Sequence, residues 1–140
     1  MVSRLSRHVD SARIVHAIEK AESATSGQIR VSIARHFWGS VRKAAESAFV
    51  RLGMAGTPDR NGVLIYVVPS KRQFVILGDE AIHAKVGQEF WERVSAAMSG
   101  RIRDGDLTDG IIHGVEEAGR ELAAHFPTRG GAGLPDDLDR

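Results

Sequence analysis

Four side chains with oxygen donors stand at the borders of two apolar runs. Asp59 and Asn61 precede Val63-Leu64-Ile65-Tyr66-Val67-Val68, while Asp79 and Glu80 follow Gln73-Phe74-Val75-Ile76-Leu77-Gly78. If Pro69-Ser70-Lys71-Arg72 is a four-residue turn between antiparallel strands, then Val68 faces Gln73, Gly62 faces Asp79 and Asn61 faces Glu80. That register gathers the four at one sheet edge, near Ser26-Gly27-Gln28. Hard cations such as Ca²⁺ and Mg²⁺ select oxygen ligands of this kind. Asp59, Asp79 and Glu80 are therefore a candidate metal set, with Asn61 a binding residue beside them. In the plainer alternative Asp79 caps the helix that follows and Asp59 sits in a solvated turn. Arg60 has two uses open to it, a bidentate grip on a phosphate or a pair with Asp79.

His36, Phe37 and Trp38 form a second candidate binding group. They follow the C-terminus of a strand expected to be parallel to its neighbour, where α/β sheets place ligands. The two aromatics either wall a pocket or pack into the core or an interface. The other five of the six histidines are scattered and make no HExxH or i, i+4 pair. Asp104-x-Asp106-x-Thr108-Asp109-Gly110 opens like a calcium loop, but Asp109 stands where the loop needs glycine and Val115 where it needs a bidentate Glu. Asp106 as a helix N-cap, with Asp109 three residues on, accounts for these acids. No G-x-S-x-G, Walker A or G-x-G-x-x-G pattern is present, so no cofactor-binding fingerprint is assigned.

Composition narrows the classes further. The 140 residues contain no cysteine, which excludes disulfides, thiolate catalysis and zinc ribbons. Lys and Arg number 19 against 18 Asp and Glu, and the densest basic clusters are only pairs, so nucleic-acid binding lacks its electrostatic footprint. No window approaches the length of an apolar membrane span, and Met1–His8 has charges without an apolar stretch behind them. A cytoplasmic location is the expectation.

The elements that would position these residues are legible from periodicity. Ile14, Ile18 and Ala21 mark a first helix that Asp10 or Ser11 caps and Ser26-Gly27 ends. Gln28 to Ala34 alternates, with Ile29, Val31 and Ile33 inward. Val41, Ala45, Ala48 and Leu52 mark a second helix that Gly53 closes, and 56–60 reads as a loop. Val63–Val68 is continuous, β-branched and too short for a helix, so it should be an interior strand covered on both faces. Gln73 to Leu77 pairs back antiparallel. Asp79 opens a short helix to about Val86, and a longer one from Gln88 buries Trp91, Val94 and Met98, with Phe90 and Ala97 adjoining. The last helix carries the stripe Leu107, Ile111, Val115, Ala118, Leu122 and Phe126, with Glu116 and Arg120 at salt-bridge spacing outside. Three strands are legible, and a fourth would have to lie in a segment that reads as loop or helix.

Thr25-Ser26-Gly27-x-Ile29-x-Val31, Arg60-Asn61-Gly62-Val63-Leu64-Ile65, Gly78-Asp79 and Gly105-Asp106-Leu107-x-x-Gly110-Ile111 occur in that order. Over about residues 10–127 the chain thereby resembles the TPM domain family, a phosphatase-like group. The resemblance implies a three-layer α/β/α sandwich with a small mixed sheet of three to four strands. It also implies, for some members, acid-phosphatase activity or divalent-cation binding. Where the family commonly has Asp-Asn-Gly before the second strand, this chain has Arg60-Asn61-Gly62. The family's Gly-x-Gly-Leu-Glu at the third strand's exit is reduced here to Gly78-Asp79-Glu80-Ala81-Ile82.

The expected organisation is an extension over 1–7, an α/β domain over 8–127 and a flexible tail over 128–140, where glycine, proline and acids leave little apolar surface. The expected function is that of a cytoplasmic module acting through a protein partner. The alternative is a phosphomonoester hydrolase dependent on Ca²⁺ or Mg²⁺.

Overall fold

The computed structural model describes residues 9–128. The central strand β2 (Val63–Val68) is buried at all six positions. It pairs in parallel with β1 (Ile29–Ile33), Ile29 opposite Val63, and antiparallel with β3 (Gln73–Gly78), Val68 opposite Gln73. The order β1-β2-β3 makes β2 interior, as its unbroken apolar run requires. Strand alternation then divides its side chains. Val63, Ile65 and Val67 enter one core with Trp91, Met98, Ile111 and Leu122, while Leu64, Tyr66 and Val68 enter another with Ala45, Ala48 and Phe49.

Those partners come from helices on opposite faces. Helices α1 (Ser11–Glu22), α3 (Glu80–Arg103) and α4 (Leu107–His125) supply the first core. Helix α2 (Val41–Arg51) and the 3₁₀ turn Met54–Gly56 supply the second. The result is the expected three-layer α/β/α arrangement, with four helices among the described residues on a three-stranded mixed sheet.

Each helix begins at a side chain suited to bond the free amides of a first turn. The Asp10 carboxylate accepts from the Arg13 amide at 3.2 Å, Ser40 Oγ from Lys43 at 3.1 Å, Asp79 from Glu80 at 2.8 Å, and Asp106 from Asp109 at 3.1 Å. Gly53, at φ 76°, ends α2, and Gly87, at φ 78° and ψ 167°, breaks α3 where the sequence divides two helices. Across that break Trp91 Nε1 donates to His83 Nδ1 at 3.0 Å. The approach to β1 and the close of the fold are also tied together. The buried Thr25 hydroxyl reaches the carbonyls of Leu122 and Phe126, and accepts from the Gly27 amide at 2.9 Å.

The structure corrects several details. Ile33 is 41% exposed, because β1 is an edge strand whose helix cover fades from buried Ile29 through half-covered Val31. Met54, in the stretch that follows Gly53, is fully buried beneath β2, since the 3₁₀ turn folds it back onto the second core. Ala97 faces solvent, the buried stripe of α3 running through Phe90, Trp91, Val94 and Met98. Arg120 pairs with Glu117 at 3.2 Å, one residue nearer than expected, because both spacings lie on one helix face. Residues 1–8 and 129–140 lie outside the described residues, and with them the expected extension and nearly all of the expected tail. Thr128 itself bonds Ala24 and Ser23 through its amide and hydroxyl.

Gly78 is the tightest joint between sheet and helices, because a Cβ there would lie 2.3 Å from the Trp91 ring. Gly78→Ala is expected to cost ~1–3 kcal/mol through overpacking. Urea unfolding checks it, with a lowered midpoint at unchanged slope. Adding Trp91→Leu should recover part of the loss if ring contact is the cause.

Candidate functional site

The two ends of β2 carry different chemistry. At its entry, the Asp79 amide donates to the Gly62 carbonyl at 2.9 Å and the Ala81 amide to the Arg60 carbonyl at 2.9 Å. These bonds extend the hairpin ladder past the strands and set 60–62 beside 79–81. Arg60 turns there with a left-handed backbone, φ 50°. Its guanidinium meets Asp79 as a fork, Nε to Oδ2 at 2.7 Å and Nη2 to Oδ1 at 2.8 Å, while Nη1 reaches Glu80 at 3.3 Å. Asp79 is only 7% exposed, and its Oδ1 also accepts from the Glu80 amide. The hydrogen bonds to Asp79 hold the Arg60 guanidinium's pKa above its usual value, against some loss of hydration, and the charges of Asp79 and Glu80 act the same way.

Asp59 takes no part in that cluster. It is exposed, and accepts from Ser26 Oγ at 3.1 Å, which accepts in turn from the Nδ2 of buried Asn61 at 3.2 Å. The sheet register thus brings Asp59, Asn61, Asp79 and Glu80 to one edge, but the side chains form two sets, Asp59-Ser26-Asn61 and Arg60-Asp79-Glu80. Among the described residues no three His, Asp or Glu side chains are grouped to hold a metal ion. A cation reaching Asp79 would have to displace a guanidinium already bonded to both carboxylate oxygens.

At the exit of β2, the chain folds into a 3₁₀ turn (Pro69–Lys71) closed by Arg72, also left-handed at φ 54°. Ser70 Oγ donates to the Arg35 carbonyl at 2.7 Å, binding this turn to the loop after β1. That loop holds His36, Phe37 and Trp38, and the structure separates their roles. Phe37 packs onto the second core. His36 and Trp38 point outward with ring centroids 6.3 Å apart, and Trp38 is 87% exposed.

Sequence reading missed a cleft at this same end. About 600 Å³ in volume, it lies between the β2–β3 turn and the α3–α4 turn, with Val67, Phe74, Ile102 and Leu107 as apolar wall and Arg72 and Arg103 among its lining. Its residues come from two distant segments, 67–74 and 99–107, and no single stripe announces them. The turn Pro69-Ser70-Lys71-Arg72 was the one local signal.

Four helices among the described residues and a three-stranded mixed sheet of order β1-β2-β3 define a small α/β class of domain. The sequence profile of the TPM domain matches residues 5–121, and the chain belongs to the TPM domain family. Among solved structures it is similar to the BA42 protein of the psychrophilic bacterium Bizionia argentinensis, at 39% identity and a TM-score of 0.77, over 83% of this chain and 80% of that one. The N-terminal domain of the cg2496 protein from Corynebacterium glutamicum shares the fold at 15% identity and a TM-score of 0.64, over 92% of this chain and 79% of that one. An N-terminal domain from P. gingivalis does so at 13% and 0.67, over 79% and 72%. The search of curated proteins gave no match.

Removing the Arg60 side chain leaves a buried carboxylate without its counter-ion. Arg60→Ala is expected to lower Tm by about 5–10 °C, since an unpaired buried charge is costly. The double variant Arg60→Ala/Asp79→Asn should regain most of that loss in circular-dichroism melts. An equal loss in both would show that the pair is not what stabilises this edge.

Proposed function

We propose that this TPM domain acts as a binding module for a protein partner, and that the contact surface is the sheet end bearing Trp38. The exposure of Trp38 carries the reading. A large apolar ring 87% open to solvent costs hydration, and tryptophan is enriched among the residues that dominate protein interfaces. Its loop is not free to collapse. Phe37 anchors it to the second core, Ser40 begins α2, and Ser70 holds the Arg35 carbonyl. The location also fits, because loops after parallel strands are the usual place for ligand contacts in α/β sheets.

A photo-cross-linking amino acid at position 38, introduced in the native host, is the direct test. The expected outcome is one discrete heavier species that an equally incorporated probe at exposed Glu116 does not give. Adducts at neither position, or the same adducts at both, would overturn the reading. Trp38→Ala should leave Tm within about 1 °C, as surface substitutions do, so a lost adduct would not reflect unfolding.

The second reading is a phosphomonoester hydrolase in which Asp59, Asp79 and Glu80 hold Ca²⁺ or Mg²⁺ and Arg60 meets the phosphoryl group. It is favoured by the gathering of those acids at one edge with Ser26 and Asn61. It requires Arg60 to leave Asp79. Amide shifts during a Ca²⁺ or Mg²⁺ titration decide between the two. The binding-module reading expects a flat response at 59–62 and 78–81 up to about 5 mM metal, the weak end of specific affinity. Shifts concentrated there, with turnover of a phosphomonoester, would establish the hydrolase instead.

A further inference from the structure

Two non-glycine residues among those described have a left-handed backbone, and both are arginines at the flanks of β2. That conformation disfavours residues with a Cβ, and asparagine or glycine fills it more easily. Strained positions of this kind cluster at ligand sites. At the entry of β2 the strained arginine has its carboxylates within the chain, since Arg60 grips Asp79 and touches Glu80. At the exit, the Arg72 guanidinium has no carboxylate partner among the described residues, and neither has that of Arg103. Both line the cleft of about 600 Å³, whose lining contains no Asp or Glu. The neighbouring acids are otherwise placed, Asp106 being the α4 N-cap and Asp104 exposed outside the lining.

We propose that this cleft binds a small amphiphilic carboxylate, its apolar body against Val67, Phe74, Ile102 and Leu107 and its head between Arg72 and Arg103. The cleft's size falls in the range of small-ligand sites, which combine a mostly apolar wall with a few placed polar groups. Guanidinium forks match the two oxygens of a carboxylate, as Arg60 already does at the other end. The cleft's lining includes no residue of the 35–38 loop, so the proposal stands whether or not Trp38 meets a partner.

Octanoate is the probe, with acetate and 1-octanol as controls for head and body alone, each followed by amide shifts on the full chain. Octanoate is expected to shift residues 67–74 and 102–107 saturably below about 5 mM, with acetate and octanol at least about tenfold weaker (~1.4 kcal/mol each). Arg72→Asn, which suits the left-handed backbone, combined with Arg103→Gln should weaken octanoate about tenfold and leave octanol unchanged. No saturable shift, equal binding of octanol, or undiminished octanoate binding by the double variant would each overturn the proposal. Melts of the double variant confirm that it is folded. Cross-linking at position 38, measured in the same variant, separates failure of this site from failure of the partner surface.

Discussion

Complete burial of β2 is the constraint on which this domain depends. Six consecutive apolar residues with both faces covered need a partner strand on each side for their amides and carbonyls, and a helical layer above and below for their side chains. The strand cannot be satisfied by fewer elements. The helix between β1 and β2 therefore covers one face, and the helices before β1 and after β3 cover the other. Solvent reaches this part of the chain only where β2 ends. Both candidate sites lie there, one at 60–62 and the other at 69–72.

What could be read from the residues follows the same logic. The unbroken run at Val63–Val68 and the four-residue turn after it gave strand position and register, and the observed pairing of Val68 with Gln73 carries the ladder to Gly62 and Asp79. Caps at Asp10, Asp79 and Asp106 were legible because each is a short polar side chain opening an apolar stripe. Side-chain partnership was harder. Register brings Asp59 near Asp79, but which oxygen meets which donor depends on shifts of an ångström that periodicity does not encode. Hence one expected acidic set becomes two networks. The cleft was illegible for a different reason: Val67, Arg72, Ile102 and Leu107 meet only because α3 and α4 turn around each other at Gly105, far from the hairpin in sequence.

Arg60 also changes the electrostatics of the edge that family resemblance marks. With the common Asp-Asn-Gly pattern the position would add a carboxylate to Asp59, Asp79 and Glu80, and mutual repulsion would favour an external cation. A guanidinium instead supplies positive charge covalently, in a geometry that saturates the buried carboxylate. The same edge can then be stable without an ion. This is why the binding-module reading is preferred here to one built on metal chemistry.

The two ends of the sheet consequently serve opposite physical roles. The entry end is closed: Thr25 ties the start of β1 to the end of α4, Thr128 bonds back to Ala24, and Arg60 is spent on Asp79. The exit end keeps an exposed Trp38 and two guanidiniums without carboxylate partners among the described residues, on loops that Ser70 and Phe37 hold in place. Rigid support beneath unsatisfied groups is the arrangement that lets binding energy go into contacts rather than into ordering the loops. The buried strand between the ends provides that support, so the loops at the exit rest on the same packing that keeps the entry shut.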